Sequence, residues 1–474
     1  MLSTLTVAVY FALFIFLARK GRGHDSALPG RVGFVVQAFA YVATYISAVA
    51  LVGFSGLAHA YGLQLLLVAA GNIILGTWVV YRFLAWPTKQ RQEELGARSP
   101  AMLIGIGHDS VLLGRVLALI FAVFLGVYSS AVIKGAGLLL AQVIDLPPWM
   151  LNWLIALAVG ACVILGGLRG VLYTEAMQGL IMLVGIAVIV GAVLSRVGGP
   201  INGVAALAAL PPTDLADNGF TSLSSGGSGL FVLSLVSVTS VAVWAQPQII
   251  QRHFAASSRE QLRRTAPLAM LVLTVLLGGM YFAAALSKLI LPEVANPDML
   301  MPHLVQMLLP SVGMQLFVLA ILSASLSTAT ALYHIAAMAV SEDLPGRKST
   351  MTTWGLGILL CVLVSGFCAQ AEGRLIAVIH TTSWSMVASV ALVPYLALVI
   401  FGRRDRGAAW CSALSGFLCC LFWYLFLYRP TAIVTPLADG PALIPPFFAS
   451  IVLSVAGWFV GTFFHNSNSK SKIS

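Results

Sequence analysis

Residues 310–342 read PSVGMQLFVLAILSASLSTATALYHIAAMAVSE. The stretch is apolar and long enough to cross a bilayer as one helix. Its middle carries Ser323, Ser325, Ser327, Thr328 and Thr330. Hydrocarbon offers a hydroxyl no water, so each of these groups needs a partner inside the protein. Hydroxyl oxygens at helical spacing suit a small hard cation that takes oxygen ligands. The helix therefore points to ion-coupled transport.

The rest of the chain has the same character. Its 474 residues are 59% hydrophobic and only 9% charged, where a soluble domain carries roughly 25% charged residues. This is the composition of an all-α polytopic membrane protein, because helices satisfy their own backbone groups in lipid. The first apolar run has no basic residue before it and several after it. That is the reverse of a signal peptide and reads as a first span. The six cysteines form no CxxC pair and lie mostly in apolar runs, as small core residues do. The net charge of +10 is divided among short loops, which argues against nucleic-acid binding. No soluble domain is expected before or after the spans. Asp109 and the scattered serines make no triad, and there is no phosphate-cradling glycine loop or metal-ligand cluster. The chain is not expected to be an enzyme.

Apolar runs of about 20 residues can cross a bilayer. Thirteen are expected, over roughly 2–18, 33–58, 62–86, 112–143, 148–167, 174–195, 227–250, 266–289, 312–341, 352–370, 375–401, 408–428 and 442–464. The fourth and ninth are long and expected to tilt. With the N-terminus outside, the 26 Lys and Arg residues divide unevenly. Arg196, Lys288, Arg374 and Arg429 fall outside and Lys134 lies within a span; all the others, Arg169 and Arg252 included, fall in cytoplasmic segments. This positive-inside asymmetry predicts an outer N-terminus and a cytoplasmic C-terminus in the cell's inner (plasma) membrane.

Transporters often place their sites where helices are interrupted near the bilayer midplane, at matching positions of two inverted halves. The second span, VATYISAVALVGFSGLAHAYG, collects Thr44, Ser47, Gly53, Ser55 and Gly56 from its middle outward. The seventh, LFVLSLVSVTSVAVWAQPQII, carries Ser234, Ser237, Thr239 and Ser240, then Trp244, Gln246 and Pro247. Proline removes a backbone donor and frees a carbonyl one turn earlier. Close packing through small residues explains either helix alone equally well. The two lie five spans apart, so each is the first helix of a half, and an odd count of five inverts one half against the other. Ala43 and Ile46 sit midway through the second span, as Ser327 and Thr328 do in the ninth. If the second span unwinds there, the carbonyls of Ala43, Ile46 and Ala324 and the hydroxyls of Ser327 and Thr328 can converge. Ala324 shares a helix face with both hydroxyls. Neutral oxygens in that number suit sodium better than a divalent ion.

The same stretches resemble the sodium/solute symporter family, in its proline and pantothenate symporter branch, over nearly the whole chain. GGLRGVLYTEAMQGLIM, from Gly166 to Met182, is similar to the family's GG-x-x-x-V-x-x-T-D-x-x-Q-G signature. ATYISAVALVGFSGLAHAYGL resembles its first core helix, and AQPQIIQRHFAASS the basic segment after its sixth. LSASLSTATA followed by AVSEDL resembles its eighth, where a Ser-Thr pair binds sodium. The resemblance implies a leucine-transporter-like fold with an inverted five-plus-five core: one transporter domain over 1–474, its halves at 33–196 and 227–401, with peripheral helices at 2–18 and 408–464. It implies sodium-driven uptake of a small polar organic solute such as proline or pantothenate. It puts the sodium ligands at Ala43, Ile46, Ala324, Ser327 and Thr328. Two positions depart from the pattern. Proline symporters carry an aspartate where this chain has Tyr45, while some pantothenate-type members resemble it in having tyrosine. The signature's aspartate is Glu175 here. The membrane interior is thus expected to hold no evident carboxylate, and a proton-coupled or uncoupled carrier of the same fold is the alternative.

Candidate solute contacts are Tyr45 and Ala50 in the second span and Trp244 and Gln246 at the break in the seventh. Thr382 and Trp384, in the polar patch from His380, complete the set. Lys134, in the outer half of the fourth span, is an intramembrane charge and a coupling candidate. It can attract a carboxylate, stand in for a cation, or bind backbone carbonyls. Glu175 is expected to cap its helix or pair with Arg169 in a gating role. His334, two turns from Ser327 on the same face, is either a proton carrier or a packed core histidine. A solute-sensing receptor is a further alternative, which the absence of a signalling domain after HNSNSKSKIS disfavours.

Overall fold

Backbone amides in hydrocarbon have only their own turns to bond to. The computed structural model describes residues 2–19, 33–141, 143–224, 229–371, 376–428 and 446–470, and it is helical nearly throughout. Among the described residues the only β pairing is an isolated bridge, Thr213 to Ala216. Lys20, Arg22, Arg31, Arg374, Arg429 and Lys472, counted above for orientation, lie outside the described residues.

In chain order the main helices are α1 (Leu2–Arg19), α2 (Phe34–Tyr45), α3 (Val49–Leu95), α4 (Val111–Leu140) and α5 (Pro148–Arg196). They continue with α6 (Gly229–Ser240), α7 (Pro247–Phe254), α8 (Arg259–Leu289) and α9 (Ser311–Met338). Last come α10 (Met351–Cys368), α11 (Ile376–Val399), α12 (Arg406–Leu427) and α13 (Pro446–Lys470). Among the described residues ten helical stretches are long and apolar enough to cross a membrane, and a bent pair, Gly229–Ala245 with Pro247–Phe254, makes an eleventh.

Two boundaries differ from the sequence reading. The second expected span is split between α2 and the first turns of α3. Gly62 then breaks α3 at φ +71°, where a Cβ would meet the Phe220 carbonyl. The turn expected around Arg169 is instead helical, because the pattern of α5 runs unbroken from Pro148 to Arg196. Its two apolar stretches are Pro148–Gly166 and Val171–Arg196.

Packing follows composition. α9 runs through the centre, and every residue from Ala320 to Met338 is buried. It lies against α4 and α5, with α2 on a further side. α1 lies along α5. There the Tyr10 hydroxyl takes the Ser323 hydroxyl as donor at 3.0 Å and Gln178 at 3.1 Å. α10 and α13 sit at the periphery and present Leu356, Leu359, Phe367, Val452, Phe459 and Phe463 outward. In a bilayer such a surface meets acyl chains at no cost, whereas in water it would be an aggregation liability.

A candidate cation site beside a closed central pocket

The break in α2 turns on one residue. Ile46 has extended dihedrals, φ −91° and ψ 123°, so the helical ladder stops there. Ser47 restarts it: its side chain accepts from Val49 N–H at 3.2 Å, and its carbonyl accepts from Ala50 N–H at 3.1 Å. The carbonyls of Ala43 and Ile46 are then left without their helical donors. α9 supplies substitutes. Ser327 Oγ donates to Ala43 O at 2.7 Å, and Thr328 Oγ1 lies 3.1 Å from Ile46 O and 3.5 Å from Ala43 O. Ala324 O lies 3.1 Å from Ser327 Oγ. The five oxygens named from the sequence are therefore joined in one chain of contacts, and all five residues are buried. Their donor set is neutral, and among the described residues no group of three His, Cys, Asp or Glu side chains gathers anywhere. Such a set matches a monovalent hard cation better than a zinc-like or calcium-like one.

The seventh span breaks by the same device. Gln246 is extended, φ −69° and ψ 121°, as the residue before a proline prefers. The pieces on either side of it, α6 with its short continuation to Ala245 and α7, meet at 44°. The two breaks are tied together: the Tyr45 hydroxyl donates to Thr239 O at 2.8 Å. Gln246 Nε2 donates to Trp384 O at 3.1 Å, which joins the second break to α11.

Between the breaks lies a pocket lined by Tyr45, Ser47, Ala50, Asn72, His380 and Trp384, with Phe54, Thr239 and Leu277 completing its wall. About 10 Å³ remains inside, room for no more than about one water. Its walls are aromatic: His380 and Trp384 stand 4.5 Å apart, and Tyr128 approaches both rings, at 4.9 and 6.0 Å. His380 Nδ1 and Gln246 Oε1 have no hydrogen-bond partner among the described residues. Tyr45, Ala50 and Trp384 are thus brought together as expected. Gln246 sits beside them. Trp244 points to α3, where its Nε1 donates to Leu75 O at 2.9 Å, and Thr382 bonds back to Val378 O at 2.8 Å. Neither lines the pocket. Asn72, Phe54 and Tyr128 escaped the sequence reading, since nothing in an apolar run marks which face turns inward at a given depth.

The Arg169 side chain, expected as a partner of Glu175, lies outside the described residues. Glu175 forms a buried ion pair with Arg252, whose Nε also donates to Thr44 Oγ1 at 3.1 Å. The expectation of a membrane interior without a carboxylate is corrected by this pair, both members of which are buried. Arg252, counted as a loop residue, is 3% exposed and belongs to α7. The signal was present in the excess of polar residues in PQIIQRHF, but its partner lies 77 positions away. Thr44 follows Ala43 directly, so the ion pair anchors the segment that carries the Ala43 and Ile46 carbonyls. His334 is buried one layer inward, edge-on to Trp354 at 5.3 Å and beside Gln248, Gln251 and Arg252. Lys134 donates to Ala371 O at 2.9 Å and does not line the pocket; this is the carbonyl-binding arrangement among the three considered.

Comparison with known proteins bears on the fold and the family. Residues 28–414 match the sodium:solute symporter family. The Haemophilus influenzae sodium/pantothenate symporter is 27% identical over 301 residues, covering 62% of this chain and 60% of that protein. The match thus spans less than two thirds of that relative's length. The Staphylococcus saprophyticus sodium/proline symporter 2 is 23% identical over 94% of this chain and 90% of its own. Among solved structures, a substrate-bound, outward-open Na+-coupled sialic acid symporter superposes with a TM-score of 0.77 at 16% identity, covering 98% of this chain and 97% of its own. The shared architecture is the leucine-transporter-like fold, and these relatives are transporters, not enzymes. With the match extending over most of its length, the chain belongs to the sodium:solute symporter family.

Proposed function

We propose that this protein is a sodium-coupled symporter that imports a small polar organic solute by alternating access. The observation that carries the reading is the meeting of five neutral oxygens, from Ala43, Ile46, Ala324, Ser327 and Thr328, where a broken helix touches α9. Sodium held there bridges α2 and α9. Solute then occupies the space between the two breaks, against Tyr45, Ala50 and Trp384, with Gln246 at its edge. Carboxylate-bearing metabolites of the proline or pantothenate kind fit this reading, because the relatives carry such cargo and the walls offer ring N–H and amide donors without a competing carboxylate. The pocket as it stands is closed to such a molecule, so the transport cycle must separate its walls on each side in turn. When the inner side opens, α2 and α9 part, the oxygens scatter, and the ion leaves toward low cytoplasmic sodium. The membrane potential adds about 2.3 kcal/mol per charge per 100 mV.

In this reading residues 33–196 and 227–401 are the two inverted halves. The N-terminus faces outward, the C-terminus lies in the cytoplasm, and the membrane is the cell's plasma membrane. Solute uptake into proteoliposomes, with choline replacing sodium, tests the coupling. Uptake should collapse without sodium. Undiminished uptake in choline would instead establish a proton-coupled or uncoupled carrier, and solute binding without any uptake would establish a sensor.

A further inference from the structure

A cavity of about 820 Å³ lies apart from the central pocket. It is an open groove between α3 and α8, at the end of both helices that the charge asymmetry assigns to the cytoplasmic side. Its lining is graded along the helix axis. On α8 the lining runs from Arg259 and Arg263 to Ala266, Pro267 and Met270, and on α3 it runs from Gln90 through Trp86 and Arg82 to Trp78. From Arg259 to Met270 the axial distance is about 16 Å at the helical rise.

Two observations set this groove apart from an ordinary gap between helices. The first is unbalanced charge. Three arginines line it and no carboxylate does. The one acidic residue of the first turn of α8, Glu260, is already paired with Arg264 at 2.9 Å. Arg259 and Arg263 are exposed and make no ion pair among the described residues, and Arg82 lies 5.1 Å from the Phe83 ring. The second is the company they keep. Tyr81 and Trp86 line the same groove, and such amphipathic rings settle at the level of lipid headgroups. Guanidinium groups grip phosphate oxygens in pairs, and basic pockets between membrane helices on the cytoplasmic side suit anionic lipid headgroups. Charge at one end and apolar wall at the other match one amphiphile held lengthwise.

We infer that the groove between α3 and α8 is a binding site for an anionic glycerophospholipid of the inner leaflet, its phosphate held by Arg82, Arg259 and Arg263 and its acyl chain laid along Pro267, Met270 and Trp78. The site adjoins the transport machinery. Asn72 of α3 and Leu277 of α8 both line the central pocket, so a lipid in the groove braces two of its walls. The inference rests on the membrane placement of these helices and on nothing concerning the cargo.

The test uses the full-length purified protein and needs no transport. Native mass spectrometry and thermal melting are followed during titration with phosphatidylglycerol or phosphatidylcholine, with inorganic phosphate as a third arm. Phosphatidylglycerol should be retained in preference to phosphatidylcholine and should raise the melting temperature. Each of Arg82→Gln, Arg259→Gln and Arg263→Gln should weaken its retention about fivefold, while Arg264→Gln, which alters a paired arginine outside the groove, should not. Equal retention of the two lipids would overturn the inference. So would wild-type retention in the folded triple variant, or displacement of the lipid by inorganic phosphate. If the triple variant does not fold, the single variants decide by the same criteria.

Discussion

Ser327 and Thr328 differ from their neighbours on α9 only in what lies opposite them. Ser325 and Thr330 turn their hydroxyls back onto Ile321 O and Leu326 O, each at 2.8 Å, within their own helix. Ser323 meets Tyr10, while Ser327 and Thr328 face carbonyls that the break in α2 has released. The sequence marks the cluster plainly. It separates these five hydroxyls only through the family's Ser-Thr pair, since back-bonding and cross-bonding need the same residue types. Tyr45 is a second case. Its hydroxyl bonds Thr239 O across the two breaks, so Tyr45→Phe should cost about 1 kcal/mol, read as a lowered melting temperature, with sodium binding largely kept. Gly76 packs under the same hydroxyl, where a Cβ would come within 2.1 Å of it. Gly76→Ala should therefore disturb solute uptake more than Tyr45→Phe, measured side by side.

At the scale of elements, both breaks were legible from small and polar residues in matching spans, and Pro247 placed one of them. What ties the elements together was not. The Glu175–Arg252 pair joins α5 to α7 and, through Thr44, to α2. Each partner is an ordinary residue of its own segment, and no local spacing links them. Removing one member of a buried pair leaves an uncompensated charge, at a cost of about 3–5 kcal/mol. Glu175→Gln should therefore lower thermal stability sharply, and Glu175→Gln combined with Arg252→Gln should recover much of the loss; a double variant no better than the single would contradict the pairing. On the side that the charge asymmetry assigns to the exterior, Asp298 Oδ2 accepts from Ile376 N–H at 3.1 Å at the start of α11. Burial holds this carboxyl above its usual range, against the opposing influences of that bond and of Lys134. The folded form thus keeps its proton to higher pH than the unfolded chain, so this group favours folding as pH falls across the carboxylate range. Asp298→Asn should flatten that part of the melting profile.

For the whole molecule, the class and the family could be read before any coordinates, because a bilayer imposes helix length and composition on every crossing; the thirteen spans expected become, among the described residues, ten membrane-length helices and one bent pair. The closed state of the pocket could not be read, since it depends on side chains from α2, α3, α6, α8 and α11 meeting at one depth. Orientation is open to a direct check. Glu293 and Lys348 are both exposed, in segments assigned to opposite sides of the membrane. In intact cells an impermeant maleimide should label Glu293→Cys at once, and Lys348→Cys only after permeabilisation. The reverse pattern would invert the topology and, with it, the direction of transport.

The proposed coupling depends most on one cation held by neutral oxygens between α2 and α9. Its most direct test is equilibrium sodium binding to the purified protein, with Ser327→Ala and Thr328→Ala as the variants. Loss of one hydroxyl ligand should weaken sodium about ten- to a hundredfold, on the scale of hydrogen bonds to charged groups, with the fold intact. Wild-type sodium affinity in both variants would contradict it.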